Sequence, residues 1–385
     1  MENKILEQIQ GYSEIKKEVE VLKKYPVQRS AEQGQVEQII NRLHPKTLNL
    51  RLSEIWQETP STTSLRFVSE DGYLPPFQAG QYINIFVDIN GIRTSRPYSI
   101  SSQPNQTGYY DITVRRLEDG FVSSYLIDEA KVGESFQSTS PSGQFYYNSL
   151  FHGDNLVFIA GGSGITPFMS MIREVTDKDL ERQIHLIYGS RTEDDIVFKS
   201  ELEERSGRHH NLTVSTVISE PSQGYNGVTG FITADLIKEL TGDIKDKTFY
   251  VCGPEVMYSF VLDELNRLEV PKRRIRIEVF GPPADVIKQL AWPESVKEDT
   301  MFKISLKNGQ TLQAKAGEPL MNSLERFKIT LETSCRSGEC SLCRTRLLSG
   351  KVFHPNGVKL RKSDRTFGYI HPCMAYPLED LELLL

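Results

Sequence analysis

The chain has 385 residues, 38 % hydrophobic and 25 % charged, with a formal net charge of −6. That length fits about two to four domains with a sizeable core. The acidic balance, without a long basic run, excludes nucleic acid as the main partner. The polar start, Met1-Glu2-Asn3-Lys4-Ile5, lacks a signal-peptide apolar region, and no stretch has membrane-spanning length. A cytoplasmic protein with reduced thiols and no membrane span is therefore expected.

Residues 1–45 read as a polar helical extension. Ile5, Ile9, Tyr12, Ile15, Val19 and Leu22 recur at three- and four-residue spacing, giving one apolar stripe that ends at Pro26. A second short helix is expected over Ala31 to Leu43. The stripe serves either as a docking surface or, as is usual for an amphipathic helix, as a face packed on the body of the protein.

From Leu48 the pattern becomes short alternating segments: Leu48 to Leu52, Thr63 to Phe67, Tyr82 to Val87 and Tyr109 to Val114. Turn residues such as Asp71-Gly72 and Asn90-Gly91 separate them, as in a small antiparallel barrel. Inside lies Arg96-Pro97-Tyr98-Ser99. An arginine beside an aromatic and a serine can clamp a pyrophosphate, stack a flat ring and hydrogen-bond its edge. Gly120-Phe121-Val122-Ser123-Ser124 then opens a helix whose N-terminus suits an anion.

These two motifs, Arg-x-Tyr-Ser and Gly-x-Val-Ser-x-x-Leu, resemble the flavin-binding half of the ferredoxin–NADP⁺ reductase superfamily. The resemblance implies Tyr98 stacked on the isoalloxazine, Arg96 on the pyrophosphate and Ser99 near the reactive flavin nitrogen. It implies Thr113, Val114 and Arg115 along the ribityl chain, and Gly120, Val122 and Ser123 on the second phosphate motif. Val122-Ser123-x-x-Leu126 and Ser142-Gly143-Gln144-Phe145 resemble the FAD branch more than the FMN branch.

At about residue 151 the period changes again. Asn155 to Ala160 is a nearly continuous apolar run, as in a buried parallel strand, and leads into Gly161-Gly162-Ser163-Gly164-Ile165-Thr166-Pro167 and a helix. Strand, glycine turn and helix cradle a dinucleotide pyrophosphate. Pro167 stands where the usual third glycine would be, a form that resembles the NAD(P)H motif of the same superfamily. The next strand ends in Ser190 and Arg191, and an arginine there suits a 2′-phosphate, which leans towards NADPH. Lys247 to Cys252 is a further buried strand, ending in Cys252-Gly253-Pro254. As a lone thiol, Cys252 reads as a small buried hydrophobe; the resemblance places it beside the nicotinamide. The resemblance also implies a proton-partner role for Glu278 and a ring contact for Phe280, so Ser99, Cys252 and Glu278 are the candidate catalytic residues.

Residues 283–300 read as a linker, with Pro282-Pro283 and Pro293 breaking the apolar pattern, long enough for a terminal domain to swing. Beyond it, Phe302 to Leu306, Asn308-Gly309 and Thr311 to Ala314 read as a β-hairpin. Then come Cys335, Cys340, Cys343 and, far downstream, Cys373. The C-x4-C-x2-C spacing with a distant fourth cysteine is the plant-type [2Fe–2S] ligand pattern. Ser334, Ser337, Gly338 and Ser341 are small enough for the backbone to approach the sulfides. A zinc ribbon would want a second C-x2-C pair, and His371 does not make a Rieske centre while all four cysteines are present. The order of this segment resembles a ferredoxin of the β-grasp type.

The expected fold class is thus multidomain α+β: helical extension (1–45), antiparallel FAD-binding β-barrel (46–150), α/β parallel-sheet NAD(P)H domain (151–282), linker, and [2Fe-2S] ferredoxin domain (301–385). The expected function is an NAD(P)H-dependent reductase that passes electrons through FAD and the cluster, one at a time, to a partner redox protein. The arrangement resembles reductase components of oxygenases and demethylases, and hybrid-cluster-protein reductases. Two alternatives stand beside it: an electron-transfer subunit of a permanent complex, anchored by the N-terminal stripe, and a redox sensor whose cluster state gates binding.

Overall fold

The computed structural model describes residues 11–24 and 34–385. They fall into two units, Met1–Lys46 and Thr47–Leu385. In the first, α1 (Tyr12–Lys24) carries Glu14 in its first turn and Lys23 and Lys24 in its last, both favourable to the helix dipole; α2 spans Gln35–Leu43. Ile5, Ile9, Pro26 and Ala31 lie outside the described residues, as does the side chain of Leu22. Ile15 and Val19 of α1 are exposed, as are Ile39 and Ile40 of α2. Two helices this short have too little apolar surface to build a core of their own.

The second unit holds three sheets. The first contains β1 (Thr47–Thr59), β2 (Thr62–Ser69), β3 (Tyr82–Ile89), β4 (Ile92–Ser99), β5 (Tyr110–Arg115) and β6 (Ser135–Thr139) in the order β4-β3-β6-β1-β2-β5. Its pairings are antiparallel. A bridge from Ile100 to Ile112 ties the end of β4 to β5 and closes the barrel. The β3–β4 hairpin turns at Asn90 and Gly91, both at positive φ (53° and 74°), as a two-residue I′ turn requires. Leu48, Leu50 and Leu52 alternate inward from β1 and join Leu65, Phe67, Ile83 and Ile85 in the barrel core. Helix α3 (Phe121–Asp128) follows β5.

The second sheet is parallel. Strands β7 (Asn155–Gly161), β8 (Gln183–Ser190), β9 (Leu212–Ile218), β10 (Val228–Thr229), β11 (Thr248–Cys252) and β12 (Ile275–Glu278) lie in the order β10-β9-β8-β7-β11-β12. Apart from Asn155, β7 is buried, which explains its unbroken apolar run. The helices α4 (Thr166–Asp177), α5 (Lys199–Arg208), α6 (Ala234–Thr241) and α7 (Glu255–Arg267) are interspersed with these strands. The chain winds outward from β7 to β10, then returns to β11 on the other side of β7. The switch point therefore lies between Gly161 and Cys252, at the carboxyl ends of the strands, where open α/β sheets bind ligands.

The third sheet is mixed. Strands β13 (Met301–Leu306), β14 (Thr311–Lys315), β15 (Thr345–Ser349), β17 (Tyr369–Ile370) and β19 (Leu381–Leu384) lie in the order β14-β13-β19-β15-β17, while β16 (Val352–Phe353) pairs with β18 (Tyr376–Pro377). The first and last strands, β13 and β19, run parallel in its middle. Helix α8 (Leu320–Arg326) precedes the cysteine loop, and α9 (Lys362–Thr366) precedes β17. The linker makes side-chain and backbone contacts with both of its neighbours. Glu255 accepts hydrogen bonds from the Ala284 N–H and the Gln289 side chain, each at 2.9 Å. The Trp292 ring meets Phe353 and Tyr376 edge-on at 5.2 and 6.3 Å. Among the described residues, no helix is long and apolar enough to cross a membrane.

Candidate flavin and iron–sulfur site

One cleft of about 670 Å³ opens between the three sheets. Arg96, Pro97, Tyr98 and Ser99 come from β4, Thr113 and Arg115 from β5, and Gly120, Val122 and Ser123 from the start of α3. Ser163 and Thr166 of the glycine turn, Phe280 beyond β12, and Cys373 and Arg336 complete the wall. Val114 does not reach it; strand alternation turns its side chain into the barrel core, between Thr113 and Arg115 on the cleft side.

The side chains fit an anionic, flat-ringed ligand. Arg96 Nη1 donates to the Ser95 carbonyl at 2.7 Å and to Thr94 Oγ1 at 3.0 Å, and the guanidinium has no ion pair among the described residues. Burial, with Arg336 close by, pushes its pKa down to about 10. A half-buried cation with only neutral acceptors is what a pyrophosphate would complete. Ser99 Oγ is buried with no hydrogen-bond partner among the described residues, so its donor is free for a ring edge. Arg115 is ion-paired to Asp195 at 2.7 Å, which ties the barrel to the parallel sheet. That contact links positions far apart in the sequence, and no local pattern announces it.

At the switch point the glycine turn is packed tightly. A Cβ on Gly164 would sit 2.2 Å from the Cys252 carbonyl oxygen, and one on Gly161 would sit 2.4 Å from Met257 Sδ. Gly162 has φ of 51° and faces Arg115. Pro167 falls in the first turn of α4, where its missing N–H costs nothing. Cys252 is buried, and burial, then Glu278, raises its thiol pKa far above the usual range, so it stays a neutral thiol. Cys252 pairs with Glu278 across β11 and β12. Burial, with Glu339 and Cys335 adding, raises the Glu278 carboxyl to about 8. The Tyr258 hydroxyl donates to the Glu278 carbonyl and accepts from the Gly253 N–H. Pro254 occupies the position just before α7. Ser190 is buried and its hydroxyl donates to the Thr192 carbonyl at 2.9 Å. Arg191 is exposed and lies 3.7 Å from Glu220. Both stand at the end of β8, apart from the cleft wall.

The cysteine loop is built to hold thiolates. Cys335 Sγ accepts N–H groups from Ser337 at 3.4 Å and from Glu339 and Cys340 at 3.3 Å. Arg336 and Ser341 take positive φ to make that curl, and Gly338, also at positive φ, is pressed against Val358 and Met374. Cys343 and Cys373 bring their sulfurs to 3.4 Å, and Cys335 contacts both Cys340 and Cys373. Among the described residues no group of three or more Cys, His, Asp or Glu is arranged to hold a single ion; all four sulfurs lie in one connected cluster, which suits a centre shared by the four cysteines.

A buried polar network joins the loop to the barrel, and sequence reading did not find it. The Arg336 guanidinium donates to both Glu325 oxygens, at 2.6 and 3.0 Å, and to Asn322 Oδ1 at 2.9 Å. Thr94, two residues before Arg96, donates to Glu325 Oε2 at 2.9 Å. Asn84 donates to the Thr333 carbonyl at 3.0 Å, and the Ser142 and Ser334 hydroxyls meet at 2.8 Å.

Comparison with known proteins agrees with this layout. Residues 49–147 match an oxidoreductase FAD-binding domain, 158–263 an oxidoreductase NAD-binding domain, and 304–378 a 2Fe-2S iron-sulfur cluster binding domain. The NADH oxidoreductase HCR of Escherichia coli is 30 % identical over 87 % of this chain and 96 % of its own. The chain belongs to the iron–sulfur flavoprotein reductases of the ferredoxin–NADP⁺ reductase superfamily. The glycine betaine monooxygenase reductase subunit of Chromohalobacter salexigens is another relative, 27 % identical over 86 % of this chain and 93 % of its own. The solved structure of phthalate dioxygenase reductase shares the fold, with a TM-score of 0.66 over 88 % of this chain and 97 % of that one, at 24 % identity. The cofactors of this reductase are accordingly FAD, NAD(P)H and a [2Fe-2S] cluster, and it delivers electrons to a partner redox protein.

Proposed function

We propose that this reductase supplies single electrons to an oxygenase or a related metalloenzyme in the cytoplasm, and that its cleft is the point where a two-electron input becomes a one-electron output. The observation that carries the reading is that cleft, which brings the Arg96–Ser99 motif, the glycine turn and Cys373 to one wall. Bound FAD accepts an electron pair from NAD(P)H, and the bound cluster passes electrons on singly.

The chain's part is placement. Arg96 neutralises the pyrophosphate and Tyr98 lies against the isoalloxazine. Ser99 directs its free hydroxyl to the ring edge. Thr113, Val114 and Arg115 follow the ribityl chain, Val114 through its backbone. Gly120, Val122 and Ser123 present the first turn of α3 to the second phosphate. Gly162, Gly164, Thr166 and Pro167 receive the nicotinamide dinucleotide, with Ser190 and Arg191 at its ribose. Cys252, Gly253 and Pro254 border the nicotinamide. Glu278 holds a proton beside it, and Phe280 covers the flavin face. Cys335, Cys340, Cys343 and Cys373 hold the cluster.

An anaerobic titration with NADH and, separately, NADPH tests this, with flavin and cluster absorbance followed together and electron paramagnetic resonance at the endpoint. The expected result is flavin bleaching followed by a reduced [2Fe–2S] signal, with the better nucleotide naming the donor. Bleaching without a cluster signal in cluster-replete protein refutes the internal route.

A further inference from the structure

The four thiolates have an inner and an outer side. Cys373 and Arg336 face the flavin cleft. Cys340 is the least buried cysteine, and Leu342, two residues on, is 50 % exposed. Cys340 and Leu342 thus mark the exposed edge of the loop, and what borders that edge would meet an acceptor.

The border is basic. Residues 351–367 carry Lys351, Lys359, Arg361, Lys362 and Arg365 against one acid, Asp364. Asp364 is buried and committed to Arg344, at 3.1 Å, the residue after the ligand Cys343. Lys359 donates its N–H to the Gly338 carbonyl at 3.2 Å and pairs through Nζ with Glu339 at 2.6 Å. Both contacts fix the segment to the cysteine loop. Arg361, Lys362 and Arg365 are exposed and have no ion pair among the described residues. Phe367, at the end of α9, is 63 % exposed.

The contrast with the rest of the chain is large. Residues 301–385 hold 13 Lys and Arg against 8 Asp and Glu, net +5, on a chain of net −6; residues 1–300 therefore carry −11.

We propose that the basic shoulder formed by Arg361, Lys362 and Arg365, with Phe367 beside it, is the docking surface for an acidic one-electron acceptor protein whose carboxylate rim surrounds its own redox centre. The inference rests on the electron path proposed above and names the partner's chemistry. Attraction at the shoulder and repulsion from the acidic remainder act together, so an acidic partner arrives with its redox centre turned towards Cys340.

The test uses the holoenzyme and two forms of one haem protein: native cytochrome c, which is basic, and cytochrome c with succinylated lysines, which is acidic. At low ionic strength the succinylated form should be reduced roughly tenfold faster or more, with the advantage collapsing towards ~0.5 M salt. The holoenzyme should also be retained on immobilised succinylated cytochrome c until eluted by salt, a readout independent of turnover. The triple variant Arg361→Glu, Lys362→Glu, Arg365→Glu should lose or reverse the preference. A control pair at the opposite end of β12, Lys272→Glu with Arg273→Glu, should leave it unchanged. Equal or faster reduction of native cytochrome c by wild type, or an equal effect of the control pair, overturns the docking surface while the cluster still gives its reduced signal. Absence of that signal overturns the electron path and the surface together.

Discussion

The Glu325–Arg336 pair offers the most demanding test of how the cysteine loop is held. Both side chains are buried, at 6 % and 5 % exposure, and the guanidinium grips both carboxylate oxygens. Glu325→Gln keeps the shape and removes the charge. Arg336 then keeps only neutral acceptors, one amide oxygen at position 325, Asn322 Oδ1 and a 3.5 Å approach to Thr94, while Arg96 supplies like charge nearby. Removing one partner of a buried pair costs about 3–5 kcal/mol. With a urea slope of about 2–3 kcal/mol/M, the transition should move down by roughly 1–2 M. Arg336→Met should cost a similar amount. In the double variant Glu325→Gln, Arg336→Met neither partner's charge remains, so its cost should fall below the sum of the singles by about 2 kcal/mol or more. Trp292 reports the transition by fluorescence in a Trp56→Phe background, because it packs on Phe353 and Tyr376 of the same module. Additive single costs, or a Glu325→Gln shift equivalent to less than ~1 kcal/mol, would show that the pair does not hold the loop.

Other consequences follow from the same geometry. Gly164→Ala must push a methyl group into the Cys252 backbone. It should raise the KM for the nicotinamide nucleotide at least tenfold while FAD content, read by absorbance, stays near one per chain; unchanged KM would remove the glycine turn from the nucleotide site. Ser99→Ala should leave the flavin-free protein as stable as wild type, since Ser99 Oγ has no partner to lose. Rapid mixing with the nucleotide should show flavin reduction slowed by about tenfold, equal to about 1.4 kcal/mol, the size of one hydrogen bond; an unchanged rate would free Ser99 of that role. The His152 ring accepts Arg276 Nε at 2.8 Å on Nε2 and meets the Tyr250 hydroxyl at 2.5 Å through Nδ1. Burial first, then Arg276, lowers its pKa. The folded form thus holds the neutral ring and the unfolded chain takes up the proton. Stability is full above the ordinary histidine value of about 6.5 and declines as pH falls from there towards the depressed folded pKa. His152→Phe should flatten that decline in thermal melts between about pH 7 and 5, and an unchanged slope would assign it to other groups.

What the sequence made legible is the part encoded in local chemistry. The C-x4-C-x2-C loop, the Arg96–Ser99 motif and the glycine turn each carry their geometry in consecutive residues. Period alone located β1, β3, β7 and β11, because Leu48, Leu50 and Leu52 alternate inward while β7 is buried almost throughout. The assembly of those parts is written across distances that no window spans. Arg115 finds Asp195, Asn84 finds the Thr333 carbonyl, and Thr94 finds Glu325, separations of 80, 249 and 231 residues. Glu325 reads locally as an ordinary acid near the end of a short helix, and Arg336 as a charge in a loop. Only their burial together gives them meaning. The contacts of the linker are hidden from the sequence for a related reason. Three prolines and a broken apolar pattern describe a segment without regular structure, and such a segment is loose only if nothing holds its side chains. Here Glu255 takes two of its donors and Trp292 is wedged against Phe353 and Tyr376. Irregular backbone and mobility are separate properties, and it is the second that decides whether the cysteine loop stays at the flavin cleft. With the loop tied to the barrel by Asn84, Thr94 and Ser142, the proposed electron path needs no domain swing, and the exposed edge at Cys340 is left for the acceptor.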